Sequence, residues 1–231
     1  MADTRQEEQV QSGYSQWLRS AFVRRNAGAT AFALFNSAIL VSWRRLGLRP
    51  TDRILDVGCG AGTLLCFLTR KVGFREPAQG VDITPEQVEL ARRVIAANGL
   101  EGKVVVQVGS ALALPFPDAS FDVVVSSHVL HNLSDENLAV LFAEVRRVLK
   151  PGGRFIAWAF GSDRAWWSRL GKQLLHLIMR PPAEVQQNTW FRDFATLARF
   201  ARGAGFPRAK RLRLRPWFFT PTPRVTIEVR K

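Results

Sequence analysis

The sequence predicts an α/β fold, a doubly wound, mostly parallel sheet under a helical cap. Two observations point there. Between residues 51 and 160, short runs of Val, Ile and Leu alternate with helix-like stretches, and near-continuous apolar runs mark strands buried on both faces. A glycine cluster lies where the first such run ends, and sheets of this kind bind ligands beyond the carboxyl ends of their strands. At 231 residues the chain suits one large domain or one domain with an appendage.

Each element has its own signal. Arg53 to Val57 reads as a strand running into the glycines, and Thr63 to Leu68 as the helix after them. Ala78 to Asp82 is the second strand. Thr84, Pro85 and Glu86 supply an N-cap, a proline at the first helical position and an acid in the first turn. That helix runs through Ala97 and stops at Asn98-Gly99. Val104–Val108 and Phe121–Ser126 are the third and fourth strands. Asp135 through Leu149 is a helix halted by Pro151-Gly152-Gly153, and Arg154–Trp158 is the fifth strand. A helix over 189–202, ended by Gly203 to Phe206, and two strands around 210–219 and 224–230 close the chain.

The turn Asp56-Val57-Gly58-Cys59-Gly60-Ala61-Gly62 lets the backbone bend sharply and approach a ligand that faces the N–H groups of the next helix. The dinucleotide fingerprint G-x-G-x-x-G is absent, because Thr63 falls where its last glycine would be. No Lys-Ser/Thr pair follows, which excludes a P-loop. Asp82, 20 residues after Gly62, ends the second strand where a carboxylate can accept both hydroxyl protons of a ribose.

Four blocks in order make the pattern specific. They are I-L-D-V-G-C-G-A-G (54–62), G-V-D-I-T-P-E-Q-V-E-L-A-R (80–92), G-S-A-L-A-L-P-F-P-D-A-S-F-D-V-V-V-S (109–126) and L-K-P-G-G-R-F (149–155). Together they resemble the class I S-adenosylmethionine-dependent methyltransferases, and the third block resembles the small-molecule enzymes of ubiquinone and menaquinone synthesis. The resemblance implies a seven-stranded Rossmann-like sheet and S-adenosylmethionine as cofactor. It implies that Asp56 and the backbone of Gly58, Cys59 and Gly60 hold the methionine part, with Asp82 on the ribose and Ile83 on the adenine. Ser110 stands where many relatives have Asp or Asn; with Ala111 it would border the adenine edge, and Ser127 would face the methionine portion. The sulfonium brings its own activation, so the protein's main task is to align the acceptor and exclude water. A base is needed only where the acceptor must lose a proton. His131 is the better candidate, ahead of His128, because it should follow the fourth strand closely enough to look into the cleft. Tyr14 is the other candidate, on an N-terminal segment resembling the cap helix of small-molecule methyltransferases.

Composition bounds compartment and partners. Hydrophobic residues make up 47%, which excludes a disordered chain. Two cysteines, Cys59 and Cys66, are too few for a disulfide framework or a zinc cluster. With the polar N-terminus showing no signal peptide, a cytoplasmic protein is expected. Residues 161–231 carry 15 basic against 4 acidic groups, most of the net charge of +14. Such a surface suits phosphates of a membrane or a nucleic acid, or is a solvated arginine-rich face.

The domain reading follows this texture: cap helices over 1–50, the cofactor-binding core over 51–160, an insertion over 161–190, and the closing helix and strands over 191–231. Asn26 through Trp43 is uncharged but diluted by Gly28, Thr30, Asn36, Ser37 and Ser42, which favours a buried cap helix over a membrane span. On a helix from Ala165 to Arg180, Arg169, Lys172, Gln173, His176 and Arg180 share one face, and Trp167, Leu170, Leu174, Leu177 and Ile178 the other. That helix either rests on an anionic membrane surface or covers the active site, and both can hold at once. Arg208, Lys210, Arg211, Arg213 and Arg215 alternate with Leu212 and Leu214, but no RNA-binding module accompanies them. The expected function is methyl transfer to a small, hydrophobic acceptor. The alternatives are a cofactor-binding partner subunit without turnover and an RNA methyltransferase.

Overall fold

A computed structural model of the chain describes residues 4–19, 42–161, 170, 173, 176–177, 183, 187–212 and 224–231. In order, the elements are α1 (Thr4–Arg19), β1 (Ile54–Val57), α2 (Thr63–Val72), β2 (Ala78–Asp82), α3 (Pro85–Ala97), β3 (Val104–Val108), β4 (Phe121–Ser127), α4 (Asp135–Val148), β5 (Leu149–Phe160), α5 (Phe194–Gly203), β6 (Ala209–Lys210) and β7 (Arg224–Arg230). The strands form one seven-stranded sheet in the order β3-β2-β1-β4-β5-β7-β6. The first five strands pair with one another in parallel, whereas β7 runs antiparallel to β5 and to β6. The doubly wound, mostly parallel sheet expected from the alternating runs is therefore present.

All four residues of β1 are buried, as a central strand with helices on both faces requires. Neighbouring side chains still divide between two layers. Leu55, Val57, Val124 and Phe155 join Leu138, Phe142 and Val145 of α4, while Ile54, Val123, Val125 and Ile156 join Leu64, Leu65 and Leu68 of α2 and Ala91 of α3. The strand order reverses between β1 and β4, where Asp56 pairs with Val125. This switch point brings the chain after β1 and the chain after β4 to the two sides of one crevice.

Local chemistry sets most of the boundaries. Ser134 caps α4, its Oγ accepting from the Asn137 N–H at 3.2 Å, with Asp135 and Glu136 in the first turn and Arg146 and Arg147 in the last. Pro151-Gly152-Gly153 stops that helix as expected, but strand pairing is already in place at Leu149. Leu149 pairs with Phe121 and Arg154 with Val123, so the Pro-Gly-Gly segment bulges out of β5. The helix expected over 189–202 begins only at Phe194. Asp193 is its N-cap, accepting from the Thr196 N–H at 2.8 Å, and residues 189–193 run against the turn after β4 instead. Of the expected strand around 210–219, Ala209–Lys210 is seen, and 213–220 lie outside the described residues, as do the greater parts of the 26–43 and 165–180 segments. Among the described residues no helix is long and apolar enough to cross a membrane.

Candidate active site

The glycine turn is fastened to the end of β2. The N–H groups of Gly58 and Cys59 both donate to the Val81 carbonyl, at 2.8 and 2.9 Å. Gly58 adopts φ +75°, and a Cβ there would run into the Val129 side chain, so the turn after β1 and the turn after β4 touch at a place only glycine fits. Gly60, at φ +50°, has nothing within 4 Å of where its Cβ would stand. Its N–H donates to Asp82 Oδ2 at 2.9 Å, and the Thr84 N–H donates to Asp82 Oδ1 at 2.9 Å. Each oxygen thus takes one backbone N–H and keeps a lone pair for a second donor. Burial pushes the Asp82 carboxyl up, and the bonds from Thr84 and Gly60 pull it down.

Asp56 lies beneath the turn at 1% exposure, and its Oδ1 has no hydrogen-bond partner among the described residues. Burial first, and the Asp82 charge second, push its carboxyl up to about 8. A buried carboxyl with an orphaned oxygen is costly unless a cation or a proton meets it.

The other wall comes from the end of β4. Ser127 is the last strand residue, and His128 follows with a left-handed backbone, φ +60°. The His128 N–H donates to the Trp158 carbonyl at 2.8 Å, and its Nδ1 lies 2.9 Å from Ser127 Oγ. Burial, then the charges of Arg224 and His131, hold its imidazole well below the usual histidine range. A short 3-10 turn, Leu130–Asn132, follows. Arg192, 8% exposed, clamps this turn from outside, donating to the Leu130 carbonyl (3.0 Å), the Leu133 carbonyl (2.7 Å) and Asp135 Oδ1 (2.8 and 3.0 Å).

Between these walls lies a cleft of about 210 Å³. Of the residues singled out in the sequence, Gly58, Gly60, Asp82, Ile83, Ala111 and Ser127 line it. Asp56 and Cys59 sit beneath it, and Ser110 turns its hydroxyl to the Leu112 N–H at 2.9 Å. His131 is 4% exposed and does not line the cleft. Its ring packs 4.8 Å from Phe160 and 6.5 Å from Phe191, and burial with the Arg192 charge lowers its pKa to about 3. His128, ranked behind it from the sequence, is the histidine that lines the cleft, with Asn132 and Leu133 beside it. The left-handed backbone that puts it there has no signature in a Ser-His-Val stretch. Tyr14 belongs to α1, and its side chain lies outside the described residues. Its neighbours Gln11 and Ser15 fasten α1 to the rim, through the Ile83 carbonyl at 2.9 Å and Glu86 Oε2 at 3.0 Å.

Residues 54–153 match a family described as methyltransferase domain. A demethylmenaquinone methyltransferase of Symbiobacterium thermophilum is 41% identical over 164 residues, 69% of this chain and 64% of that protein. The chain carries a methyltransferase domain and is similar to the S-adenosylmethionine-dependent methyltransferases. Ajmaline N-methyltransferase of Rauvolfia serpentina is 40% identical over 175 residues, 66% of this chain and 60% of that protein. The chain thus spans somewhat less than two thirds of the length of these curated relatives. The crystal structure of the YcgJ protein of Bacillus subtilis superposes with a TM-score of 0.67 at 21% identity, covering 85% of this chain and 98% of that one, a likeness of fold.

The residues present fit the cofactor this methyltransferase family uses. A ribose offers two hydroxyl donors, and Asp82 presents two oxygens already fixed by backbone N–H groups. The methionine part carries an ammonium, and the orphaned Asp56 oxygen is a buried acceptor that an ammonium would meet with its charge, in place of the proton that burial favours. The open space at Gly60 leaves room for a ligand to approach the backbone.

Proposed function

We propose that the protein transfers a methyl group from S-adenosylmethionine to a small, lipophilic acceptor by in-line displacement. The observation that carries this reading is the bracketed Asp82 carboxylate standing beside the buried, partnerless Asp56 oxygen. In this reading Asp82 holds the ribose, Ile83 and Ala111 flank the adenine with Ser110 behind, and Asp56, Ser127 and the backbone of Gly58, Cys59 and Gly60 face the methionine portion. When bound, the cofactor supplies a methyl already attached to a good leaving group. The chain's own work is to orient the acceptor about 3 Å from that carbon and keep water out.

The turn after β4 is suited to that work. Val129 and Leu133 give the cleft an apolar wall, and Asn132 and the neutral His128 ring are its polar members. His131 and Tyr14 remain the groups proposed for moving a proton. His131, held neutral behind the lining with its ring against Phe160, can take one only from an acceptor that reaches beyond the residues lining the cleft.

Two relatives of nearly equal identity carry the names of different acceptors, demethylmenaquinone and ajmaline. Likeness over the shared core therefore favours small molecules as a class without choosing one. The cationic C-terminal third supports a working place at an anionic membrane surface, where a lipophilic acceptor would be found.

Calorimetric titration with the cofactor, followed by transfer of a labelled methyl group to lipid extracts, tests the reading. Binding with label appearing in the lipid phase is the expected result. Binding without labelled product favours a partner subunit lacking turnover, and absence of binding removes the proposal. Sedimentation with vesicles tests the membrane part. Salt-sensitive recovery with anionic lipid is expected, and equal recovery with neutral vesicles counts against it.

A further inference from the structure

The chain between β3 and β4 supplies part of the cleft wall, Gly109 and Ala111, and then runs through Leu114-Pro115-Phe116-Pro117. It turns back on itself. The Gly109 N–H donates to the Asp82 carbonyl at 3.0 Å, and Ser110 bridges to Ala113. Pro115 comes to rest beside Gly109, where an added Cβ would stand 3.2 Å from the proline ring. Proline has no N–H to give, so this segment cannot knit itself into a ladder. The backbone groups between the prolines need partners from elsewhere.

Those partners come from one side of α4. Arg147 donates from Nη2 to the Leu114 carbonyl at 2.9 Å and from Nη1 to the Phe116 carbonyl at 2.8 Å. Glu144 Oε2 accepts the Leu114 N–H at 2.8 Å. The remaining guanidinium protons go to the two Glu144 oxygens, 2.8 Å each from Nε and Nη2, and to Asp118 Oδ1, 2.9 Å from Nη1. Every N–H of the planar fork is thereby engaged, a set that a lysine does not reproduce. Asp118 is 77% exposed and contributes least, whereas Glu144, at 19%, and Arg147, at 31%, form the shielded pair. The main chain adds a further hold, the Ala119 N–H donating to the Arg147 carbonyl at 3.0 Å. Glu144 and Arg147 do not line the cleft themselves. They reach it through the two residues that flank Pro115.

We propose that Glu144 and Arg147 are positioning residues for the nucleoside, gripping the backbone on either side of Pro115 so that Gly109 and Ala111 stand as the adenine wall before a ligand arrives. The proposal rests on the proposed cofactor site and deepens it. A wall already in place spares the ligand the entropy of ordering it. Without the clamp, binding must first gather the loop, and affinity falls by that cost.

Calorimetric titration with S-adenosylhomocysteine, paired with amide hydrogen exchange, tests this. Arg147→Met should weaken binding about tenfold, with a less favourable binding entropy. In the ligand-free variant the Leu112 and Leu114 N–H groups should exchange about tenfold faster than in the wild type, with β1 and β4 unchanged. Saturation with the nucleoside should restore their protection. Arg147→Lys, which keeps the charge without the fork, should fall between the two. Ile227→Val, at a fully buried position on β7, should lower Tm and leave the affinity within about twofold. Affinity of Arg147→Met within about twofold of the wild type, loop exchange no faster than before, or an equal affinity loss in Ile227→Val each overturns the inference. Should Arg147→Met not fold, Arg147→Lys carries the same comparison. A wild-type protein that does not bind the nucleoside overturns the proposed function, and the inference falls with it; wild-type binding matched by the variant overturns the inference alone.

Discussion

Gln11 Nε2 donates to the Ile83 carbonyl at 2.9 Å, joining the first helix to the residue that follows the Asp82 carboxylate. Four residues on, and so on the same helix face, Ser15 Oγ donates to Glu86 Oε2 at 3.0 Å. Helix α1 is thereby fastened to the rim where the adenine is proposed to lie. Gln11→Ala should weaken cofactor binding by about 0.5–1.5 kcal/mol, the net value of one hydrogen bond, with little change in Tm. Titration calorimetry beside a thermal melt measures both, and unchanged affinity would detach α1 from the site.

Gly58→Ala tests the seam between the two turns. The new Cβ would meet Val129 on a backbone at φ +75°, so steric and backbone costs add. A loss of about 2–4 kcal/mol in urea unfolding is expected, with Val129→Ala in the same chain restoring part of it. Gly60→Ala meets nothing within 4 Å and should cost only the backbone share, about 1 kcal/mol.

Asp82→Ala removes both acceptor oxygens from the bracket formed by Gly60 and Thr84. Cofactor affinity should fall by about 1–3 kcal/mol. An unchanged Kd would move the ribose elsewhere.

Asp56 makes the cofactor-free protein sensitive to pH. Its carboxyl, raised to about 8 in the folded chain, titrates near 4 when unfolded. Between those values the native state holds the extra proton. Its contribution is therefore complete below about pH 4 and is lost as pH rises toward 8. Tm of the wild type should decline from pH 5 to pH 8. Asp56→Asn should flatten that decline, adding roughly 2–4 °C at pH 8 for each kcal/mol recovered. Parallel curves for the two proteins would show that Asp56 does not carry the dependence.

Arg192→Met should cost about 2–4 kcal/mol in urea unfolding, because the carbonyls of Leu130 and Leu133 and the Asp135 carboxylate lose a partner that is itself buried. A change under about 0.5 kcal/mol would mean the turn after β4 stands without its clamp.

What could be read in the sequence was local. β2 and β3 occupy the residues expected, and α3 starts after Thr84 and ends at Ala97, because alternating Val runs and Thr-Pro-Glu are signals within a few residues of one another. The glycine turn and Asp82 were legible for the same reason. Asp193 marks the start of α5 as plainly as Thr84 marks α3; the residues before it, expected to be helical, bond to the turn after β4 through the Trp190 N–H and the Arg192 side chain instead. The left-handed His128 and the clamp by Arg192 were out of reach. Arg192 binds residues 57 to 62 positions away, and the bend at His128 is imposed by Trp158, Asn132 and Phe160, so neither exists until the sheet has formed.

A Cβ on Gly161 would run into the Arg192 carbonyl. Gly161, at the end of β5, thus lies against Arg192, just before α5, and Arg192 is bonded to the turn that walls the cleft. Closing both ends at one point makes the intervening stretch a cassette whose length and composition can drift at small entropic cost. Exchanging that stretch would leave its two anchors, the sheet and the glycine turn as they are.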